Sequence, residues 1–242
     1  MENHKHLFIE KEKHDFKTLN NAENLKLLSE KWGMKNLRAR TWTFEGEFDN
    51  STNVDEFMQE FARTKGIFSM PVKEAKFEPL KVSVTGKAYW KKFMKPPLAV
   101  IRDVPGHPIV KCVDKHVRSL WLCNTLQTAI FDPESDEYDI FDEDDRKELI
   151  FRLLRGCVIG GEICQFEDSF DPYDTMVINL YRDMIGKSVV RSAAGSVIVV
   201  AHAFSVTELD NLKVCLDDRS FALITIDPIE RKVRMLSFNA AV

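Results

Sequence analysis

The 242-residue sequence lacks the features that mark several specialised classes of protein. Its five cysteines are odd in number and form no Cys-x-x-Cys pair, which argues against a disulfide framework or a zinc ribbon. The most apolar run, residues 197–204, is much shorter than the about 20 residues of a spanning helix. No apolar segment follows the first residues, as a secretory signal would require. These absences favour a reduced cytosolic protein that does not enter a membrane.

Neither sign of charge dominates the chain. The sequence has 34 Lys and Arg residues against 38 Asp and Glu residues, which gives a formal net charge of −4. Proteins dedicated to nucleic-acid binding are normally strongly basic, so this balance argues against that class. With 44% hydrophobic residues the chain is typical of folded globular proteins rather than of disordered ones.

Familiar catalytic and cofactor motifs are also missing. We find no phosphate-binding loop, dinucleotide fingerprint, nucleophile elbow or His-Glu-x-x-His zinc motif. The two glycines Gly160 and Gly161 follow an apolar helical pattern, which is typical of a helix end and not of a phosphate cradle. The residues therefore predict no cofactor, no metal and no catalytic group.

The hydrophobic periodicity predicts an α+β fold in which helices and strands are interspersed. The β-rich last third indicates a largely antiparallel C-terminal sheet, and the turn at residues 227–231 joins its last two strands. No long polar linker divides the chain, so we expect one compact domain over residues 1–242. Helices are predicted at 21–32, 54–64, from Asp142 to Gly156 or Gly160, and from Asp171; strands are predicted at 37–44, 75–85, 98–101, 138–141, 187–191, 196–204, 221–226 and 232–238.

Charge is divided between two stretches of the sequence. Residues 73–95 carry seven lysines against two glutamates, and residues 132–148 carry ten acids against Arg146 and Lys147. Because complementary charge guides association, we interpret the two stretches as oppositely charged surfaces that steer separate partners.

Each stretch has an alternative interpretation. The acidic stretch places Asp132, Glu134, Asp136 and Glu143 at ligand positions of a calcium loop, although Glu137 stands where that loop needs glycine. The basic stretch interleaves Lys91 and Lys92 with aromatic residues such as Trp90, as single-stranded RNA-binding modules do. An amphipathic segment with its lysines in water and Trp90 and Phe93 turned inward also fits this pattern.

A small-molecule enzyme is a further alternative. His107 and Cys112 lie close together in sequence, and Glu167 and Asp168 are adjacent acids. A Cys–His nucleophile pair assisted by an acid would use residues of these types. This hypothesis requires all four side chains to converge in one pocket.

Several strings along the sequence together form a recognisable pattern. They are residues 106–112, Asp114, 138–141, 145–146, Glu148, 160–161, 164–168, 172–173, 226–229 and Arg231. In this order they resemble the cilia- and flagella-associated protein 300 family. The resemblance covers nearly the whole chain and is firmest at residues 106–181 and in the C-terminal hairpin. The lysine-rich stretch and residues 191–218 do not follow the family pattern.

The resemblance implies a non-enzymatic protein of the cytoplasm and the motile cilium. It implies a role in assembling outer and inner axonemal dynein arms, or in delivering them to the axoneme by intraflagellar transport. The expected partners are axonemal dynein subunits, other dynein assembly factors and the intraflagellar transport machinery. Residues 101–242 would carry the family core, and about residues 1–100 the N-terminal part.

We expect partner contacts in two places. One is the acidic helix start, and the other is the polar segment around residues 164–173, whose side chains exceed what a turn requires. The candidate partner-binding residues are Asp142, Asp144, Asp145, Cys164, Gln165, Phe166, Glu167, Asp168, Pro172 and Tyr173.

Overall fold

The architecture is given by a computed structural model, which describes residues 5–48, 53–161, 167–214 and 217–240, apart from the side chain of Lys87. Helices and strands are interspersed along the chain, and the largest sheet is antiparallel. The predicted α+β class, with a largely antiparallel sheet in the C-terminal part, is therefore confirmed.

The strands form one large sheet and two small hairpins. The strands are β1 (Leu7–Glu10), β2 (Arg38–Glu45), β3 (Ala75–Leu80), β4 (Lys111–Val117), β5 (Leu120–Asn124), β6 (Val189–Arg191), β7 (Val197–Val199), β8 (His202–Leu209), β9 (Leu212–Lys213), β10 (Phe221–Asp227) and β11 (Lys232–Phe238). The large sheet has the order β1-β2-β11-β10-β8-β3, with β9 beside β8. The strands β4 and β5 pair with each other, as do β6 and β7.

The helices cover both faces of the large sheet. They are α1 (Ala22–Lys26), α2 (Val54–Arg63), α3 (Thr125–Phe131), α4 (Glu143–Arg146), α5 (Leu149–Ile159) and α6 (Asp171–Ile185). A π-helical turn, Leu27–Lys31, extends α1, and 3₁₀ turns occupy Thr18–Asn20, Lys87–Met94 and Asp136–Ile140. Asn21 starts α1 as predicted, since its side chain accepts hydrogen bonds from the amides of Glu23 and Asn24.

An aromatic cluster fills the space between α2 and one face of the sheet. Phe57 and Phe61 project from α2, and both are fully buried. The Phe61 ring meets Trp42 of β2 at a centroid distance of 5.1 Å, and Phe57 meets Phe44 at 4.9 Å. Phe8 of β1 packs edge-on against Phe57. These contacts hold the N-terminal strands on the sheet, because large aromatic side chains bury the most apolar area.

The larger core lies on the opposite face, under α5 and α6. The helix α6 begins with Asp171 and Pro172, as the sequence predicts, and turns Met176, Val177 and Leu180 inward. Leu223 of β10 and Leu236 of β11 belong to the same buried cluster. The sheet is thus a central layer with a core on each side.

The C-terminal hairpin is confirmed, and it contains a buried ion-pair network. Arg234 is 2% exposed, and its guanidinium lies 3.1 Å from Asp227 Oδ2 and 2.5 Å from Glu230 Oε2. Asp227 also accepts hydrogen bonds from the amides of Ile229 and Glu230 in the turn. Burial disfavours both carboxylates, yet these bonds hold the pKa of Asp227 and of Glu230 below their ordinary values.

Gly186, at the end of α6, packs against the guanidinium of Arg234 in this network. It ends α6 with a φ of 58°, and a Cβ atom placed there would lie 2.5 Å from both terminal nitrogens of Arg234. Any side chain at this position would displace the guanidinium. Glycine is therefore required here by conformation and by space.

Four expectations about local structure are wrong in whole or in part. The predicted strand at 138–141 is the 3₁₀ turn Asp136–Ile140. The single helix predicted from Asp142 is two helices, α4 and α5, because the chain extends at Glu148 to bond with the backbone of Lys81. The strand predicted at 75–85 ends at Leu80, and in the strand predicted at 98–101 only Ile101 forms a bridge, with Ile109.

We expect Arg234→Met to lower the free energy of unfolding by about 3–5 kcal/mol, because it leaves two carboxylates without their buried cation. Urea denaturation measures this change. The matched control is Arg191→Met, since Arg191 is exposed and its guanidinium donates a hydrogen bond to the carbonyl of Gly195 at the surface. The control should change the free energy of unfolding by less than about 0.5 kcal/mol. Equal effects of the two substitutions would contradict a structural role for the network.

The same network predicts acid sensitivity. A carboxylate with a lowered pKa in the folded state stabilises the fold above its unfolded pKa of about 4, and this contribution disappears as pH falls through the folded value. The free energy of unfolding should therefore be steady from pH 7 to about 5 and decrease below about pH 4. The free energy of unfolding of Arg234→Met should differ less from that of the natural protein as the pH falls below about 4. A difference that stays constant with pH would show that Asp227 and Glu230 are not linked to Arg234.

Candidate protein-binding surface

Two of the strings that carry the family resemblance lie side by side in space. Residues 106–112 run along residues 167–171, and the amide of Ile109 donates to the carbonyl of Asp168 over 2.9 Å. The amide of Phe170 donates to the carbonyl of His107 over 3.0 Å. These bonds make residues 106–112 and 167–171 one backbone unit at the start of α6.

Glu167 belongs to the interior of this unit. It is 7% exposed and accepts a hydrogen bond of 2.8 Å from the indole Nε1 of Trp32. Lys31 Nζ lies 2.6 Å from its other oxygen. The π-helical turn that precedes Trp32 places both donors on Glu167, so this acid joins the N-terminal part of the chain to the later part.

Tyr173 and Pro172 also support the start of α6. Tyr173 is fully buried, and its ring lies 4.9 Å from the ring of Trp32. Pro172 occupies the first turn of the helix, where a missing amide proton has no cost. Cys164, Gln165 and Phe166 lie outside the described residues. That any of these five residues contacts a partner therefore stays a prediction.

Asp168 is exposed, unlike Glu167 and Tyr173 of the same predicted segment. Its carboxylate lies 2.7 Å from Lys111 Nζ, and this contact lowers the pKa of Asp168 from its ordinary value. His107 Nδ1 lies 2.7 Å from Asp171 at the neighbouring surface. Charged side chains of both signs therefore line the outer side of the unit.

The basic and acidic stretches contact each other. Lys81 Nζ lies 2.8 Å from Asp144 Oδ1, and Lys92 forms an ion pair with Asp145. Lys81 lowers the pKa of Asp144. The expectation of two separate charged surfaces is therefore wrong for these residues, because opposite charges that are distant in sequence pair within the fold.

The acids predicted to bind a partner at the helix start also have roles inside the chain. The Asp142 carboxylate accepts a hydrogen bond of 2.7 Å from the amide of Asp145, and the Asp145 carboxylate accepts one of 3.2 Å from the amide of Asp142. This reciprocal capping box fixes the start of α4. Glu148, which ends the acidic stretch, is buried and accepts hydrogen bonds from the amide and hydroxyl of Ser83.

Other acids of the stretch remain available at the surface. They are exposed, and among the residues that the structure describes they form no ion pair. We call this set the acidic strip, and it consists of Glu134, Asp136, Asp139 and Glu143. The sequence showed the excess of acid, but it did not show which acids are neutralised within the fold.

The structure buries the aromatic side chain on which the RNA-binding alternative depends. Trp90 is 4% exposed, and its Nε1 donates a hydrogen bond of 2.7 Å to Asp174. Its ring stacks on Phe93, which is fully buried. The prediction that Trp90 and Phe93 pack inward is confirmed, and a base has no face of Trp90 on which to stack.

The calcium-loop alternative is likewise incompatible with the local structure. Asp132, the proposed first ligand, is buried and forms an ion pair with Lys115. Asp136 begins a 3₁₀ turn instead of continuing a loop. Within the described ranges, no group of three or more His, Cys, Asp or Glu side chains is arranged to hold a metal ion.

The four residues of the enzyme alternative point to different partners. Glu167 faces Trp32, Asp168 faces Lys111, and His107 faces Asp171. Cys112 is partly buried, and burial raises the pKa of its thiol, which disfavours the reactive thiolate. The residues therefore do not form a shared catalytic pocket.

None of the described helices is long and apolar enough to cross a membrane.

Comparison with known proteins gives a consistent result. The family model described as cilia- and flagella-associated protein 300 matches residues 5–238. A cilia- and flagella-associated protein 300 from Paramecium tetraurelia is 24% identical over 220 residues, which cover 86% of this chain and 84% of that protein. Another, from Chlamydomonas reinhardtii, is 28% identical over 134 residues, which cover 53% of this chain and 52% of that protein. No solved structure matches the chain.

The two ion pairs between the basic and acidic stretches should differ in their contribution to stability. Asp144 and Lys81 are largely exposed, so Asp144→Ala should leave the free energy of unfolding unchanged within the precision of the measurement. Asp145 is mostly covered and also caps α4, so Asp145→Ala should cost about 1–3 kcal/mol. Chemical denaturation of the two variants makes this comparison. Similar values for both would contradict the structural role given to Asp145.

Proposed function

Because the chain belongs to the cilia- and flagella-associated protein 300 family, we propose that it is a non-enzymatic factor for axonemal dynein arms. It acts in assembling outer and inner arms, or in their delivery by intraflagellar transport. In this proposal it works through protein–protein contacts, first in the cytoplasm and then in the motile cilium. Its partners are axonemal dynein subunits or other dynein assembly factors, together with the transport machinery.

The observation that carries this proposal is the extent of the family match. The match covers residues 5–238, so it includes both cores of the fold and not one isolated motif. A role in binding other proteins also fits the chemistry of the surface, where the candidate catalytic side chains are engaged separately with Trp32, Lys111 and Asp171.

We assign partner recognition to the acidic strip instead of to Asp142, Asp144 and Asp145. The strip presents exposed carboxylates without counter-ions from the described residues, whereas the other three acids stabilise the chain itself. Unneutralised surface charge accelerates the approach of an oppositely charged partner and favours one orientation. The proposed partner surface is therefore basic.

The test is complementation in a ciliated cell that lacks the protein. Re-expression of the natural chain should restore outer and inner dynein arms, as seen by electron microscopy of axonemes. The variant Glu134→Lys with Asp139→Lys should reach the same protein level but restore fewer arms. It should also recover less dynein in crosslinked immunoprecipitates, and the loss should be larger at low ionic strength, where surface charge is least screened.

The matched control is Glu12→Lys with Glu30→Lys. It makes the same change in net charge at two exposed acids outside the strip. This control should restore the arms fully. If cells without the protein have complete arms, the proposed function is wrong. If the strip variant restores the arms as fully as the control does, the assignment of the strip is wrong.

A further inference from the structure

An apolar groove lies on the sheet beside the end of α2. Its volume is about 480 Å³. Ala222 of β10 and Met235 of β11 form its floor, and Phe68 contributes to one wall. Two large apolar side chains at its rim face solvent, since Met70 is 56% exposed and Leu212 is 66% exposed. Exposed apolar side chains grouped around a groove are typical of a binding surface.

Polar contacts fix the wall formed by the loop after α2. Arg40 of β2 donates to the carbonyl of Gly66 over 2.6 Å and to the carbonyl of Ile67 over 2.5 Å. Ile67 itself is 2% exposed, so the loop is anchored by its side chain as well. These contacts position Phe68 and Met70, which follow directly in the sequence.

The opposite wall, formed by β8 and β9, is fixed in a similar way. Asp210 stands in the turn between these strands, and its carboxylate accepts hydrogen bonds of 2.9 Å from the amides of Lys73 and Glu74. The amide of Asp210 donates in turn to the carbonyl of Glu74. Leu212 and Lys213 are therefore held beside the groove before any ligand arrives, which lowers the entropy cost of binding.

The groove has charge of one sign. Arg38 of β2 and Lys213 of β9 line it, both are exposed, and neither has an ion-pair partner among the described residues. None of the described side chains that line the groove is acidic. An apolar floor between two unneutralised cations complements a ligand that carries apolar side chains flanked by carboxylates.

We propose that this groove binds an acidic amphipathic segment of another protein. Apolar side chains of the segment cover Met70 and Leu212 and fill the space above Met235, while its acids pair with Arg38 and Lys213. The segment must carry both apolar and acidic side chains, because a purely ionic ligand would leave the apolar rim exposed. The proposal concerns residues other than those of the acidic strip and does not depend on the ciliary role.

The test uses three fluorescein-labelled synthetic peptides of about 15 residues with the full-length protein. The first has leucines at helical spacing with glutamates between them. The second has the same residues in scrambled order, and the third has lysine in place of every glutamate. Fluorescence anisotropy should show that the first peptide binds at least about tenfold more tightly than the other two.

Variants of the groove locate the binding site. Arg38→Glu with Lys213→Glu should weaken the first peptide by at least about tenfold, and Leu212→Asp should weaken it similarly. The matched control, Lys13→Glu with Lys91→Glu, makes the same charge change at two exposed lysines elsewhere and should bind as the natural chain does. If a charge-reversed protein does not fold, Arg38→Gln with Lys213→Gln replaces it, and circular dichroism checks each variant.

Two results would overturn the proposal. One is equal affinity for the three peptides, which would mean that neither the apolar pattern nor the charge is recognised. The other is the same loss of affinity in the control pair as in the groove variants, which would mean that general surface charge accounts for the binding. Because purified protein is used, failure here leaves the proposed ciliary function untouched, and failure of complementation leaves this proposal untouched.

Discussion

The contacts of Trp32 hold the two parts of the chain together. Its indole nitrogen donates to the buried Glu167, its carbonyl accepts the amide of Gly161, and its ring packs on Tyr173. Gly161 must be glycine at this point, because a Cβ atom would lie 2.2 Å from the carbonyl oxygen of Gly33. Among the described residues, loss of the indole would leave this buried carboxylate paired with the exposed Lys31 alone, which is costly in a low-dielectric interior.

The contacts of Trp32 give a structural reason for several of the strings that resemble the family. Gly161, Glu167 and Tyr173 come from three of them, and all three meet the same tryptophan. Their identity is explained by internal packing, which weakens the argument that an unusual polar string must face a partner. The same holds for the segregated charges, since Lys81 and Lys92 meet Asp144 and Asp145 inside one molecule.

The sequence predicts elements whose signals are local. Asp171 and Pro172 mark the start of α6, and the turn at 227–231 marks the last hairpin. It does not predict α3, where all seven residues are buried, because a helix without a solvent-exposed face has no amphipathic pattern. The break at Glu148 depends on the distant Lys81, and the exposed acids can be distinguished from the paired ones only in three dimensions.

The strand order also determines how late in synthesis the large sheet can form. The strand β2 lies between β1 and β11, so residues near 40 need residues near 235 before the sheet closes. During synthesis β1 and β2 therefore emerge long before β11. Until β11 is made, one edge of β2 is unpaired and is a template for pairing with other chains. A premature stop before residue 232 removes β11 from the middle of the sheet. Such a product lacks the strand that joins β2 to β10, so we expect it to be degraded rather than to retain partial activity.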